Sequence, residues 1–277
     1  MPAMAMFLVF YIAPIIAGVV LSLFRWDGLQ PPVWVGFENY ELLLRDSIFV
    51  SNVRVTLISV GVTLAVTLPM AVLLALCLSG RGRLLGLFRT LLFLPTILPL
   101  AAIALMWSEI FNPAGGMANE VLEAVGLAPV NWLGEPNTAM WSLILVTVWS
   151  MFGIHMVIQL SALSTIPAEL REAARLETPS SWRTFRHVVL PLLRDALTVS
   201  TILIITGTFV VYTALSLLMT RGGPVHATET LGLRAFIEGY SSLDFGRANA
   251  ATVITMLITI TLVGIALLIG SRRRVEY

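Results

Sequence analysis

Residues 164–195 read STIPAELREAARLETPSSWRTFRHVVLPLLRD and form the longest charge-rich stretch of an otherwise apolar chain. Ser164 can cap a helix, and Pro167 suits the first turn, because Pro lacks the N–H that would be unpaired there. Thr178 and Pro179 end this helix and start another. The apolar face of the first helix consists of Ile166, Leu170, Ala173 and Ala174. The pattern predicts two short helices at an angle, standing out of a membrane as a docking surface.

The composition places the rest of the chain in a membrane. Of 277 residues, 57% are hydrophobic and 12% are charged, and the mean hydropathy is +0.90. A soluble domain carries about twice that share of charged residues. Six apolar runs each approach the roughly 20 residues that cross a bilayer. They are residues 3–24, 55–78, 90–108, 139–163, 196–219 and 249–270. We therefore expect an all-α polytopic membrane protein with a single transmembrane domain over residues 1–277. The first run is expected to be a span rather than a cleaved signal, because no basic residue precedes it.

Arginine is unevenly distributed between the two sides of these predicted spans. Eleven of the seventeen Arg residues lie in loop 79–89, in residues 164–195 and in the tail after residue 270. Basic residues near short loops stay in the cytoplasm. We therefore expect both termini and residues 164–195 to be cytoplasmic, with loops 25–54, 109–138 and 220–248 on the outer side.

The charge-rich stretch resembles the EAA loop of permease subunits in bacterial ABC importers. The resemblance is carried by Glu172-Ala173-Ala174 with Pro191 downstream, and by a carbohydrate-importer pattern of Trp182, Phe185, Arg186 and Val188-Val189-Leu190. Thr178 stands where this family usually has Gly, and Asp195 where a second Pro is frequent. The resemblance implies a type I importer permease with six transmembrane helices that takes up a sugar or sugar-like solute. Importers of maltose, trehalose and glycerol-3-phosphate are of this kind.

The same resemblance implies partners and roles. The residues that would couple the permease to an ATPase are Glu169, Leu170, Glu172, Ala173, Ala174, Glu177, Thr178 and Pro191. The implied partners are an ATP-binding cassette ATPase dimer on the cytoplasmic side, a second homologous permease, a periplasmic or lipid-anchored solute-binding protein and the bilayer of the bacterial inner membrane. ATP and Mg²⁺ would be bound by the ATPase, because this chain has no Gly-x-x-x-x-Gly-Lys-Ser/Thr motif and needs no cofactor of its own. No nucleic-acid partner is expected.

Polar and aromatic residues inside the fourth and fifth spans are candidates for a substrate pathway, because polar groups at membrane depth are costly and often functional. The candidates are Trp149, Phe152, His155, Gln159, Thr208, Phe209 and Tyr212. The alternative for each polar member is a hydrogen bond between helices. For Gln159 and Tyr212, a pathway role predicts reduced uptake after substitution by Ala. Pro69, Pro95 and Pro99 are expected to kink the second and third spans.

Three functions stay open on the sequence alone: the ABC importer permease, a secondary carrier driven by an ion gradient, and an intramembrane enzyme. A carrier would favour carboxylates within spans and repeated halves, and neither is recognisable. An enzyme would need a nucleophile–base pair or a metal-binding motif, and the spans show none. For residues 164–195, the alternative is a charged amphipathic helix lying on the membrane surface. Within the ABC class, a non-sugar solute such as glycerol-3-phosphate is the remaining alternative.

Overall fold

The chain folds into a bundle of long helices with one small hairpin. The computed structural model describes residues 2–80, 82–166 and 181–271. Helix α1 (Pro2–Leu21) is followed by strands β1 (Phe24–Arg25) and β2 (Val33–Trp34), which pair antiparallel. The helices that follow are α2 (Glu38–Arg45), α3 (Ser47–Cys77), α4 (Arg83–Ile97), α5 (Leu100–Ile110), α6 (Met117–Ala124), α7 (Pro136–Thr165), α8 (181–192, with a π-helical turn at Phe185–Val189), α9 (Arg194–Thr220), α10 (Leu231–Phe236, continued by a π-helical turn at Ile237–Ser241) and α11 (Phe245–Ser271). Among the described residues, α1, α3, α7, α9 and α11 are long and apolar enough to cross a membrane, and α4 with α5 makes a sixth candidate span.

The second span, α3, begins where the Asp46 side chain accepts a hydrogen bond from the N–H of Ile48 at 2.9 Å. Its 31 residues extend about 46 Å, which exceeds the roughly 30 Å hydrocarbon core. Its buried positions recur every three or four residues and are mostly small. They include Asn52, Thr56, Ser59, Thr63, Thr67, Ala71 and Ala75. Small residues let two helix backbones approach closely, and α3 accordingly packs along α7.

The fourth span, α7, is the central helix of the bundle. Over the most apolar 18 residues of each span, 67% of residues are buried in α7, 33% in α3 and in α9, and none in α1 or α11. α7 contacts α3, α4 and α9. The order of burial places α7 inside the bundle and α1 and α11 at its periphery.

The third apolar run does not form one helix. α4 ends at Ile97 and α5 begins at Leu100, and the two axes are bent by 100°. Leu98 is extended, with ψ of 140°, and is followed by Pro99. A residue before Pro is driven out of the helical region by its clash with the ring. The apolar pattern predicts a kinked span over 90–108. The structure instead has a sharp break at Pro99, whereas Pro95 remains inside α4.

Three connecting segments lie at one end of the bundle, which we call the loop end. They are residues 22–46, 111–135 and 221–244. The buried Asn39 donates to the carbonyl oxygen of Phe24 at 2.8 Å, and the N–H of Phe245 donates to that of Trp26 at 2.9 Å. The first contact fastens the β1–β2 hairpin to α2, and the second fastens the segment after β1 to the start of α11.

The opposite end carries the turn between α3 and α4 and both stems of the charge-rich stretch. Arg89 donates from Nε to the carbonyl oxygen of Leu78 at 3.0 Å and from Nη2 to that of Gly80 at 2.6 Å. A cation at a helix C-terminus satisfies unpaired carbonyls and opposes the helix dipole. The apolar contacts beside it join α3, α7 and the stretch that leads into α9. They comprise Val72, Ala75, Leu163, Ile166, Val189 and Leu193.

Candidate functional site

A cavity of about 360 Å³ opens where the third span breaks. Three spans form its walls: the α4–α5 bend, α7 and α9. Its lining includes Thr96, Leu98, Ile103, Met151, His155 and Leu203. The volume lies within the range of small-molecule sites, which are about 300–1,000 Å³. The break in α4–α5 therefore creates a half-open cavity large enough for a small solute.

The cavity combines an apolar wall with a few hydrogen-bonding groups. Oγ1 of Thr96 and Nδ1 of His155 are buried and have no protein partner among the described residues. Ser150, beside them, donates to the carbonyl oxygen of Thr147 at 2.9 Å and can still accept a hydrogen bond. None of the described residues that line the cavity is charged. Both atoms have almost no surface that water can reach, so a ligand or water could bond to them only after a small movement of the cavity wall. Because an unpaired buried polar group costs about 1–3 kcal/mol, such a bond would be favoured.

Gly153 allows α4 to cross α7 at this site. A Cβ at position 153 would lie 2.5 Å from the carbonyl oxygen of Leu92 and 2.9 Å from Oγ1 of Thr96. Only a residue without a side chain permits this approach, which brings Thr96 next to the α7 face that carries His155. Thr96, Ser150 and Gly153 were not predicted from the sequence. The only signal near them was the pair of prolines in the third apolar run.

The predicted aromatic candidates lie apart from the cavity lining. Trp149 is half-buried and packs edge-on against Trp107, with ring centroids 5.4 Å apart. From Trp107 the aromatic contacts continue to Phe111, at 5.1 Å, and from there to Trp132 at the loop end, at 5.4 Å. Phe152 is buried, and Phe209 is half-buried. Trp149 therefore belongs to an aromatic run that extends from α5 to the loop end.

One of the four predicted polar candidates lines the cavity, and the other three are buried among the packed helices. His155 lines the cavity. Nε2 of Gln159 donates to the carbonyl oxygen of Ala196 at 3.1 Å and to Oγ of Ser200 at 2.8 Å, so it joins α7 to α9. Thr208 donates to Ile204 of its own helix, at 2.7 Å. Tyr212 is fully buried in the apolar core shared with Val55, Leu143 and Leu215. Gln159 therefore has the geometry expected of a residue that hydrogen-bonds two helices together, which is the alternative to a pathway role.

Comparison with known proteins identifies the bundle. A family model described as "Binding-protein-dependent transport system inner membrane component" matches residues 67–275. The chain belongs to this family. The resemblance found in the charge-rich stretch is thereby confirmed, and this permease is a multi-pass inner-membrane protein.

Individual relatives cover nearly the whole permease. It is 31% identical to the probable ABC transporter permease protein YurN of Bacillus subtilis, over 92% of this chain and 89% of that protein. It is also 31% identical to the trehalose/maltose transport system permease protein MalF of Thermococcus litoralis, over 99% and 92%. The fold matches that of a bacterial ABC transporter involved in alginate import, with a TM-score of 0.83 at 22% identity, over 98% and 93%. The predicted all-α polytopic fold of the type I importer permeases is confirmed.

The predicted coupling residues fall mostly outside the described residues. Glu169, Leu170, Glu172, Ala173, Ala174, Glu177 and Thr178 lie there, so their role stays a prediction. Pro191 is described and exposed, near the end of α8. Trp182, at the start of α8, is 67% exposed, and its ring packs on that of Phe185 at 5.5 Å. The described stem of the stretch thus presents an aromatic surface that follows most of the predicted coupling residues in the sequence.

Proposed function

We propose that this chain is the permease subunit of an ABC importer for a neutral sugar or sugar-like solute, and that it forms half of the translocation pathway. The observation that carries the proposal is the uncharged cavity at the broken third span. Hydroxyl groups of a sugar can bond to Thr96 and His155, and the apolar faces of its ring can pack on Met151 and Ile154. Relatives support the solute class through their names: diacetylchitobiose uptake, starch degradation products, trehalose/maltose and lactose.

The charge of the cavity separates a neutral sugar from the glycerol-3-phosphate alternative. A phosphate at membrane depth requires a cation, because an unpaired buried charge is costly. We therefore expect uptake of neutral oligosaccharides such as maltose, trehalose, lactose or diacetylchitobiose. Competition for uptake within this panel tests the solute class, with glycerol-3-phosphate as the anionic member. Competition by glycerol-3-phosphate alone would refute the neutral-sugar assignment.

The proposed assembly comprises this chain, a second permease, an ATPase dimer and a solute-binding protein. One of the related alginate transporter structures, with a TM-score of 0.85, is described as a complex with a periplasmic protein. We assign ATP hydrolysis, with its bound ATP and Mg²⁺, to the ATPase dimer. The predicted coupling residues would contact that dimer, and the loop end would meet the solute-binding protein.

The proposed orientation places both termini and the coupling stretch in the cytoplasm. It is supported by the excess of Arg in loop 79–89, residues 164–195 and the tail. We expect a reporter fused after Tyr277 to behave as cytoplasmic and one inserted in loop 111–137 to behave as external. Reporters with the opposite behaviour would overturn the orientation and the ATPase-docking assignment.

A pathway through the cavity predicts different outcomes for Thr96 and Gln159. Thr96→Val keeps the shape of the side chain and removes its hydroxyl. We expect the initial uptake rate per assembled transporter to fall by about 2- to 10-fold, the equivalent of one neutral hydrogen bond. The matched control is Thr259→Val on α11, whose hydroxyl bonds within its own helix to Thr255.

Gln159→Leu should instead lower the thermal midpoint of the assembled complex, because it removes two hydrogen bonds between α7 and α9. Uptake per assembled transporter should stay close to that of the wild type. Unchanged uptake in Thr96→Val together with a large loss in Gln159→Leu would move the pathway from the cavity to the α7–α9 contact.

A further inference from the structure

Segment 221–244, between α9 and α11, folds back into the loop end of the bundle instead of passing over it. Thr228, Glu229, Leu231 and Leu233 are all buried. The N–H of Leu231 donates to Oγ1 of Thr56 on α3 at 3.0 Å. Thr56 lies nine residues beyond the start of α3, or about 14 Å along the helix axis. The segment is therefore a structural part of the bundle.

A cluster of ion pairs surrounds Arg234 within this segment. Its Nη2 lies 2.8 Å from Oδ2 of Asp46 at the start of α3 and 2.9 Å from Oε1 of Glu238. Its Nη1 lies 3.7 Å from Oε1 of Glu229. The side chains of Glu229 and Glu238 are only 2% and 3% exposed. Arg234 thus faces three carboxylates, two of them almost completely buried.

Further contacts connect the cluster to α3 and α11. Nδ2 of Asn52 on α3 donates to Oε1 of Glu229 at 2.8 Å. The other oxygen of Glu229 is hydrogen-bonded to Nδ1 of His226. On α11, Nη2 of Arg247 lies 3.3 Å from Oε1 of Glu238. Two guanidinium groups and an imidazole therefore share the three carboxylates, and the contacts join the segment to two spans.

Burial distinguishes this cluster from the other ion pairs at the loop end. Arg25 pairs with Glu38 and Arg45 with Glu41, but every one of these side chains is 41% or more exposed. Exposed pairs of this kind contribute little to stability. A buried pair behaves differently, because removing one partner leaves an uncompensated charge away from water. The position of segment 221–244 should therefore depend on Arg234 and not on Arg25.

Two tips of the segment project from the loop end. Val225 is 85% exposed and has a left-handed φ of +50°, which is unfavourable for a β-branched residue. The turn that precedes Val225 is fixed by a hydrogen bond, because Oγ1 of Thr228 donates to the carbonyl oxygen of Gly223 at 2.8 Å. Tyr240, at the second tip, is 72% exposed. The buried ion pairs support a segment whose exposed tips are fixed in place.

We propose that Arg234 is a positioning residue that makes segment 221–244 a rigid extension of α3 and α11. Its ionic contacts hold the tips in one position at the loop end. The part of this inference that concerns the solute-binding protein rests on the proposed function. The part that concerns the rigidity of the segment rests on the contacts alone.

The rigidity is tested by hydrogen exchange on the assembled transporter in lipid nanodiscs. Arg234→Gln should raise amide exchange in residues 227–241 by about 10-fold or more, because buried carboxylates lose their counter-charge. Exchange in α6, at the same end, should not change.

Glu238→Gln, which leaves Arg234 paired with Asp46 and Glu229, should give a smaller increase and provides the test if Arg234→Gln fails to assemble. The matched control Arg25→Gln should equal the wild type. Wild-type exchange in both Arg234→Gln and Glu238→Gln, or in Glu238→Gln alone where the first does not assemble, would overturn the proposal.

The functional consequence is tested by adding the purified solute-binding protein that stimulates the wild-type transporter. In Glu238→Gln the concentration of this protein that gives half-maximal stimulation of ATP hydrolysis should rise about 3- to 10-fold, whereas the basal rate and the maximal rate should not change. Arg234→Lys, which keeps the charge, should rescue most of the loss seen in Arg234→Gln. A lower maximal rate with an unchanged half-maximal concentration would contradict the positioning role. If no solute-binding protein stimulates the wild-type transporter, the proposed function fails, and the exchange experiment still decides whether Arg234 fixes the segment.

Discussion

Gly153→Ala is expected to destabilise the permease by about 1–3 kcal/mol, the usual cost of overpacking a closed contact. The added Cβ would lie 2.5 Å from the carbonyl oxygen of Leu92 and 3.0 Å from Cα of Phe93. Both atoms belong to the backbone of α4, so no flexible side chain can yield. The helices would have to separate, and Thr96 would move away from His155. A lower thermal midpoint should therefore accompany a lower uptake rate.

The matched control is Gly61→Ala, also within a long helix. A Cβ at Gly61 meets nothing within 4 Å. Ala is about 0.5–1 kcal/mol more favourable than Gly in a helix interior, so this change should be neutral or stabilising. Thermal midpoints from fluorescence-detected size-exclusion chromatography compare the two variants. Equal midpoints for both would show that α4 and α7 do not cross closely at Gly153.

Variants of the predicted coupling residues should separate ATP hydrolysis from solute transport. Ala173 belongs to the predicted narrow apolar face of the first helix in residues 164–195, and Leu there would not fit a groove shaped for Ala. Glu172→Ala would remove a charge-assisted contact with the ATPase. Such contacts contribute about 1.5–3 kcal/mol, so we expect solute-stimulated ATP hydrolysis to fall about 10- to 100-fold. Membrane insertion should be unchanged.

The chain offers a matched pair of control variants at the opposite end. Glu123 and Ala124 lie side by side and exposed on α6, so Glu123→Ala and Ala124→Leu repeat both chemical changes away from the predicted ATPase surface. At saturating solute-binding protein, these controls should hydrolyse ATP at the wild-type rate. Wild-type coupling in both Glu172→Ala and Ala173→Leu would favour the alternative, an amphipathic helix on the membrane surface.

The long helices were predictable because bilayer thickness imposes a length on every apolar run. The bend in the third span was only partly predictable. Both Pro95 and Pro99 were expected to produce kinks, but the helix breaks only after Leu98. A proline disfavours the helical conformation of its predecessor without determining how far the chain then turns. The 100° angle depends on how α5 packs against the rest of the bundle, and no local sequence pattern determines that packing.

Sequence periodicity also does not show which side of a central helix faces a cavity and which side faces another helix. α7 is apolar on all sides, so its polar residues have no preferred face in the sequence. His155 and Gln159 are one turn apart, yet the first lines the cavity and the second bonds to α9. The ion pairs of Arg234 could not be predicted from the sequence for a related reason. Arg234 and Asp46 are separated by 188 positions, and only the tertiary fold brings them together.

Solute-stimulated ATP hydrolysis by the complex that co-purifies with this chain is the measurement that tests its transport function most directly. We expect an ATPase and a second permease to co-purify. We also expect hydrolysis to rise when the solute-binding protein is added with a neutral sugar, and not when it is added with glycerol-3-phosphate. A chain that purifies without an ATPase and moves solute in liposomes along an ion gradient would contradict the assignment and identify a secondary carrier.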